Sequence, residues 1–397
     1  MQTLWLNKGE DRRLRAGHLW VFGNEVDSGK SPLSAFTPGE SATVRDARGG
    51  VIGSAYVNPH SLICARLYSR APDTELDADL LRQRLRAALE LRDRLFDQPF
   101  YRLCHGEGDL LPGLVIDRFG DHLTLQLGTA GMEARREAVA ACLEELLHPA
   151  SLLWDNDLAS RSLEGLAREN VLDGPVPRRL ELPENGCTFT APLLDGQKTG
   201  WFYDQRANRQ EAARYAAGAD VLDIFCYAGG FGATAAARGA RSVTFLDASP
   251  QAVELAGLNA ARNAPRLADG AAIHTLCGDA FELLRELHDS GRRFSLICLD
   301  PPAFIKRRKD MAQGLAAYRK INALALRLLA PGGVIASCSC SHHLPADELR
   351  RCLGLAAARR KTALRLLLAG GQGPDHPIHV AMPETAYLKC FIAQRAD

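Results

Sequence analysis

From Ala219 onward, apolar strands and helices alternate without a break, and this rhythm constrains the fold more than any other feature of the chain. ADVLDIFCYAGGFG joins an apolar strand to a glycine-rich loop that opens an Ala-rich helix, and RSVTFLDAS, IHTLCGDA, FSLICLDPPAF and VIASCSCS are further apolar strands. The helix PQAVELAGLNAARN carries Ser249 as its N-cap and Pro250 at its first helical position, the residue types favoured there. Strands alternating with helices imply βαβ units and a mostly parallel sheet. Ligands bind such sheets outside the carboxyl ends of the strands. One rim is therefore expected to hold the loop from Asp223 to Gly232, Asp247, Asp279 and Asp300-Pro301-Pro302, with the run around Cys338 and Cys340 reaching the same edge. ALRLLLA and AYLKCFIA read as late strands that close the chain.

The region before this repeat has a different texture. Residues 1 to about 70 contain GHLWVFGNEV, GESATVRDARGGVIGSAYV and SLICARLY, short β-rich pieces punctuated by Gly and Asp, as in a small barrel or sandwich. A helix follows in DADLLRQRLRAALELRDRLF, then strands in LPGLVIDRFGDHLTLQLG, a helix from about Met132 to Leu147 and shorter elements to about Leu182, which together read as a compact α+β unit. A chain of 397 residues exceeds one ordinary core. Three domains are expected: residues 1–72, 73–180 and 181–397.

Eleven cysteines are scattered, many inside apolar segments such as LICLD and LKCFI, a pattern of reduced core thiols and hence of a cytoplasmic protein. The opening residues lack the apolar stretch of a signal peptide, and no run of about eighteen apolar residues predicts a membrane span. No paired CxxC units predict zinc, and His342 and His343 read as a polar loop rather than as ligands, so no metal is expected. The net charge of +1 hides an asymmetry: Asp300 to Arg365 holds 13 Lys and Arg against 4 Asp and Glu. One positive face, suited to nucleic acid, is the functional reading; charges spread over solvated helices are the alternative.

Gly230-Phe231-Gly232-Ala233-Thr234-Ala235 fits the G-x-G-x-x-G/A dinucleotide pattern, which is weak alone. Asp247 suits a ribose hydroxyl pair in a nicotinamide or a sulfonium cofactor alike. Asp223 discriminates between them. A carboxylate at that strand end would repel a pyrophosphate and attract a cation such as the ammonium of S-adenosylmethionine. The loop glycines would let the backbone approach the ligand closely, and Asp279 could accept a hydrogen bond from an adenine amino group. S-adenosylmethionine is the cofactor these residues predict.

Asp300-Pro301-Pro302 is related to the Asn/Asp-Pro-Pro-aromatic loop of methyltransferases that act on exocyclic amines, with Phe304 in place of an immediate aromatic. Amine chemistry needs no thiol. Carbon chemistry does: C5 of a pyrimidine is a poor nucleophile until a thiolate adds at C6 and makes C5 enamine-like. Cys338 lies inside the apolar strand and reads as packed. Cys340 stands where the strand gives way to polar residues, which favours it as the nucleophile, with a structural thiol as the other reading. Cys298, in LICLD, reads as core.

At these residues the chain resembles the bacterial large-subunit ribosomal RNA cytosine-C5 methyltransferases that carry an N-terminal PUA domain. The likeness spans essentially the full length. It rests on KGEDRRLRAGHLWVF, EGDLLPGLVIDRFGD, GQKTGWFYDQRANR, DIFCYAGGFG, LDPPAF and SCS, of which the 14-residue GQKTGWFYDQRANR is the most specific. The resemblance implies an α/β fold: a Rossmann-like class I methyltransferase domain with a mostly parallel, seven-stranded sheet, preceded by a small β-barrel PUA domain and a central α+β domain. It implies that Cys340 is the nucleophile and that Asp300 orients the base. The expected cofactor surface comprises Asp223, Phe225, Ala228, Gly229, Gly230, Phe231, Asp247, Ala248, Asp279, Ala280 and Asp300, with Gln197, Lys198, Asp204, Gln205 and Arg206 of the specific stretch near the cofactor and RNA cleft. The expected RNA surface is Pro301, Pro302 and Phe304 against the base. Lys306, Arg307, Arg308 and Lys309 hold phosphates there, or else form a solvated helix start. The family commonly has Gly soon after SCS, where this chain has His342. Large-subunit ribosomal RNA is the expected partner, without a membrane, and pairing of two copies of the chain as a homodimer is left open. The rivals are a guanine-N2 amine methyltransferase with a structural Cys340, a non-catalytic RNA-binding protein, and a nicotinamide oxidoreductase.

Overall fold

The computed structural model describes residues 1–194, 200–264, 267 and 272–397, and these form two compact units. Among them, no helix is long and apolar enough to cross a membrane.

The first unit comprises Met1–Arg178, Pro192–Tyr203 and Pro374–Thr385. It holds two five-stranded sheets. In the first, Gln2–Trp5 pairs parallel with Glu40–Arg45, and Val51–Val57, Ala65–Ser69 and Trp20–Val21 continue antiparallel. Leu4, Val21, Val44, Val57 and Leu67 are wholly buried there, as the alternation of the strands requires. In the second sheet, Phe100–His105, Leu114–Phe119, His122–Leu127, Ser151–Asp155 and Asn170–Asp173 lie side by side in that order, and the helices Ala78–Leu95 and Arg136–Leu147 bury Leu81, Leu85, Val139 and Leu143 in the same core. The helix expected from Met132 to Leu147 is broken in two. Thr129 caps a short turn, Ala130–Glu133, by accepting from the Met132 amide, and a second helix begins only at Arg136.

The second unit comprises Arg179–Ala191, Asp204–Gly373 and Ala386–Asp397. After helix α1 (Arg206–Ala213) it follows the predicted alternation: β1 (Asp220–Ile224), α2 (Gly230–Ala237), β2 (Ser242–Asp247), α3 (Pro250–Asn263), β3 (Ile273–Cys277), α4 (Ala280–Asp289), β4 (Phe294–Leu299), α5 (Met311–Leu328), β5 (Leu329–Ser339), α6 (Ala346–Arg359), β6 (Leu364–Gly371) and β7 (Lys389–Arg395). The sheet order is β3-β2-β1-β4-β5-β7-β6, with β7 antiparallel to its neighbours and the first five strands parallel. The strand order reverses between β1 and β4, which creates the crevice where such sheets bind ligands. Ser249 caps α3 through a 3.3 Å bond from the Ala252 amide with Pro250 at the first turn, as predicted. Leu222, Ile224, Ile297, Leu299, Ile335, Tyr318 and Ile321 are buried in the core on the α5 face of the sheet.

Candidate active site at the carboxyl rim of the sheet

At the end of β1 the backbone winds tightly. Phe225 and Tyr227 take left-handed φ angles of 63° and 47°, and Gly229 follows at 77° before α2 begins. Such conformations are uncommon for residues with a Cβ and concentrate at functional loops. Asp223, 1% exposed, lies beneath the turn, where one carboxylate oxygen accepts from the Gly232 amide at 2.8 Å. Burial pushes this carboxyl up to about 7, against the pull of the Gly232 N–H and Arg209, while the nearby Asp300 and Asp247 charges push it further up. A buried acid with acidic neighbours is stabilised in its charged form by a cation, so the pocket chemistry fits the ammonium of S-adenosylmethionine and opposes a pyrophosphate. Asp247, at the end of β2, is half-buried and accepts from the Tyr227 and Ser249 amides, each at 3.0 Å. Ala248 beside it is exposed. Asp279 is the exposed N-cap of α4, accepting from the Glu282 amide at 3.1 Å, and Ala280 behind it is buried.

The glycines have a second reason besides access for a ligand. A Cβ on Gly232 would stand 2.3 Å from the Phe245 ring, and one on Gly229 would stand 2.8 Å from Ala256. The loop is therefore close-packed against β2 and α3 whatever it binds. Phe231 is buried with the Arg209 guanidinium 6.0 Å from its ring centre, the Ala228 carbonyl accepts from Asn259 at 2.9 Å, and Phe225 is half-buried against the core.

Of the specific stretch GQKTGWFYDQRANR, Gln197 and Lys198 lie outside the described residues. Asp204 is buried and accepts from the Tyr387 hydroxyl at 2.6 Å. Gln205 accepts from Asn208 at 2.7 Å at the start of α1, and Arg206 reaches Glu184, which also holds Arg209 at 2.7 Å.

Asp300 follows β4 half-buried, its amide bonded to the Ile224 carbonyl at 3.3 Å, so that it stands beside the end of β1. Pro301 is buried and Pro302 exposed. Phe304 packs its ring on Tyr318, 4.9 Å centre to centre, and on Phe281 at 6.3 Å. Lys306, Arg307, Arg308 and Lys309 are all exposed, and Arg307 pairs with Asp310 at 3.1 Å.

β5 ends at Ser339, one residue before Cys340. The eleven cysteines, all among the described residues, form no disulfide. Cys338 and Cys298 are buried, as expected; Cys338 faces Cys390 across β5 and β7, and its thiol is held well above the ordinary value by that sulfur neighbour and by burial. Cys340 is partly exposed. Alternate serines fix its mount. Ser337 donates to Asn322 at 2.8 Å, Ser339 to the Tyr318 hydroxyl at 2.7 Å, and Ser341 meets that hydroxyl at 2.8 Å while accepting from the Ile305 amide at 3.2 Å. The last bond ties the loop after Asp300 to the loop of Cys340. His342 stacks on Tyr387 with ring centres 5.2 Å apart.

One group was missed from sequence. Lys389, first residue of β7 and opposite Ser339 in register, is 7% exposed, and its ammonium donates to the Ser341 carbonyl at 2.7 Å and the Tyr387 carbonyl at 2.9 Å. A lysine inside the apolar run AYLKCFIA was the available signal. Away from the rim, α4, α5 and α6 form a groove lined by Arg285, Arg319, Lys320, Arg327 and Arg359. Lys320 lies 5.1 Å from the centre of the Phe281 ring, and none of the five forms an ion pair among the described residues.

Fold, acidic rim and family profiles together define the class. The profile of the S-adenosylmethionine-dependent methyltransferases matches residues 164–377, and that of the PUA-like domain matches residues 4–70. Two solved structures share the whole architecture: a candidate SAM-dependent methyltransferase of Streptococcus mutans (TM-score 0.82, 19% identity, 99% of this chain and 100% of that one) and a candidate methyltransferase in complex with SAH (TM-score 0.83, 20% identity, the same coverage). The "Ribosomal RNA large subunit methyltransferase I" of Erwinia tasmaniensis is 36% identical over 98% of each chain. The chain belongs to the ribosomal RNA large subunit methyltransferase I family.

Proposed function

We propose that this protein methylates C5 of a cytosine in large-subunit ribosomal RNA through a covalent adduct on Cys340. The observation that carries the reading is a partly exposed thiol at the end of β5, on the same rim as the buried Asp223 and linked by the Ser341–Ile305 bond to the loop that carries Asp300. Asp223, Asp247 and Asp279 hold the cofactor, in the order ammonium, ribose and adenine. When bound, S-adenosylmethionine supplies the methyl group that C5 takes. A cytosine turns out of its stack to enter the pocket. Asp300 hydrogen-bonds the polar edge of the base around N3 and the amino group. The Cys340 sulfur forms a bond to C6, and the C5=C6 electron pair becomes available at C5. After methylation the C5 proton is removed, the pair returns to C5=C6, and the thiolate leaves. Cys338, buried and paired with Cys390, suits a structural part.

RNA containing 5-fluorocytosine tests this, because a C5 fluorine cannot be removed as a proton and the adduct persists. Incubation with S-adenosylmethionine is expected to give an RNA–protein complex that survives denaturation and maps to Cys340. Cys340→Ala should abolish both complex and turnover, and Cys338→Ala should spare them. Full turnover by Cys340→Ala, with the methyl group on an exocyclic amine, would establish the amine reading instead. Mass mapping of ribosomal RNA from cells with and without the gene identifies the mark.

A further inference from the structure

Lys389 is a buried cation with no carboxylate partner among the described residues, whereas Arg209, buried in the same unit, pairs with Glu184 at 2.7 Å. Burying an ammonium in this way is costly unless something compensates. Two carbonyls do so in part, those of Ser341 and Tyr387. One of them belongs to the residue directly after Cys340, and Lys389 itself faces the residue directly before it, Ser339. The ammonium thus bonds the residue after the candidate nucleophile, while the strand pairing sets Lys389 opposite the residue before it. Other ionisable groups surround this point: Tyr318 from α5, whose hydroxyl is engaged by Ser339 and Ser341, the Cys338 and Cys390 thiols, His342 stacked on Tyr387, and Asp300, whose negative charge acts on Cys338.

We propose that Lys389 is a positioning residue for catalysis, holding a positive charge beside Cys340 at neutral pH that stabilises its thiolate. This role rests on the reading of Cys340 as nucleophile. A cation next to a thiol favours the ionised form, which is the reactive one. On ionisation the thiol proton passes to solvent, the sulfur keeps the electron pair, and the ammonium keeps its three protons. The same charge stabilises the sulfur when it leaves C6. Electrostatics agree from the other side: burial lowers the ammonium to about 8, and the Cys340 charge is the influence that raises it. Cys340 likewise pushes up the Tyr318 phenol, after burial and against its serine hydrogen bonds. The arrangement also explains why the Ser341 carbonyl is turned inward to the lysine.

Alkylation of Cys340 by iodoacetamide, followed across pH by peptide mass spectrometry on the cofactor-free full chain, reads the thiol directly. In the wild-type protein the midpoint is expected below the ordinary thiol value of about 8.5. Lys389→Met should raise it by about one unit or more, roughly a tenfold slower reaction at pH 7, and Lys389→Arg should restore most of the shift. A wild-type midpoint at or above the ordinary value overturns the proposal without any variant, as does a midpoint that Lys389→Met leaves unmoved. Formation of the 5-fluorocytosine adduct is scored separately. An adduct with an unperturbed thiol refutes the role of Lys389 alone. A lysine-dependent thiol with no adduct supports that electrostatic coupling and refutes the covalent mechanism.

Discussion

Asp223 has the most consequential environment of any single residue. Its carboxyl is pushed up to about 7 chiefly by burial, above the ordinary aspartate value of about 3.9. A folded-state value above the unfolded one means that the neutral form favours folding. The stabilisation is complete below about pH 4 and disappears as pH rises through 7. The cofactor-free protein should therefore lose thermal stability between about pH 4 and 7 relative to Asp223→Asn, as paired melting curves will measure. Binding of a cationic cofactor runs the other way, because it requires the carboxylate. Calorimetric affinity for S-adenosylmethionine should fall as pH drops below 7 in the wild type. In Asp223→Asn it should be weaker by roughly 2 kcal/mol or more, the scale for removing one partner of a buried charge pair, and flat with pH. The position of Asp223, Asp247 and Asp279 at or just beyond strand ends was legible in the sequence, because each lies near the end of an apolar run. Lys389 was not: a lone lysine in a short apolar run gives no sign of whether its side chain leaves the sheet or is sealed beneath it.

At the scale of elements, the contact of α5 with β5 organises the reacting edge. Tyr318 and Asn322 lie one turn apart on α5 and meet Ser337, Ser339 and Ser341, which alternate with Cys338 and Cys340. Period 3.6 on the helix thus reads period 2 on the strand. Tyr318→Phe removes the hydroxyl shared by two serines and leaves those groups buried. It should cost about 1–3 kcal/mol of stability in denaturant titrations and broaden the alkylation profile of Cys340 by loosening its mount. The alternating strands and helices and the Ser249 cap follow from local pattern; the strand order, and with it the switch point between β1 and β4, does not. The break in the helix near Ala134, the Tyr318 contacts and the second reason for Gly229 and Gly232 depend on neighbours far along the chain, which periodicity does not reveal. The glycine loop is the instructive case, since close approach of a ligand and close packing of Phe245 and Ala256 demand the same residue.

At the scale of the whole molecule, the charge asymmetry between Asp300 and Arg365 acquires a location. Arg319, Lys320, Arg327 and Arg359 from that stretch, joined by Arg285, line the groove between α4, α5 and α6, and the exposed run from Lys306 to Lys309 precedes α5. If phosphates occupy the groove, log affinity for ribosomal RNA depends on log salt with a slope that each lost contact reduces by about 0.7–0.9. Replacing Arg285, Arg319, Arg327 and Arg359 by Ala should flatten the slope by up to about 3 in filter-binding titrations and leave S-adenosylmethionine affinity unchanged. An unchanged slope would mean that RNA docks elsewhere.

The path of the backbone has a consequence of its own. Both Pro192–Tyr203 and Pro374–Thr385 return to the first unit from within the second, so neither unit is one uninterrupted stretch of polypeptide. A fragment that starts after Arg178 carries two segments cut off from the core they complete, and no single nick divides the protein into two self-sufficient halves. Moving the second unit onto another protein would require rerouting the chain at both returns.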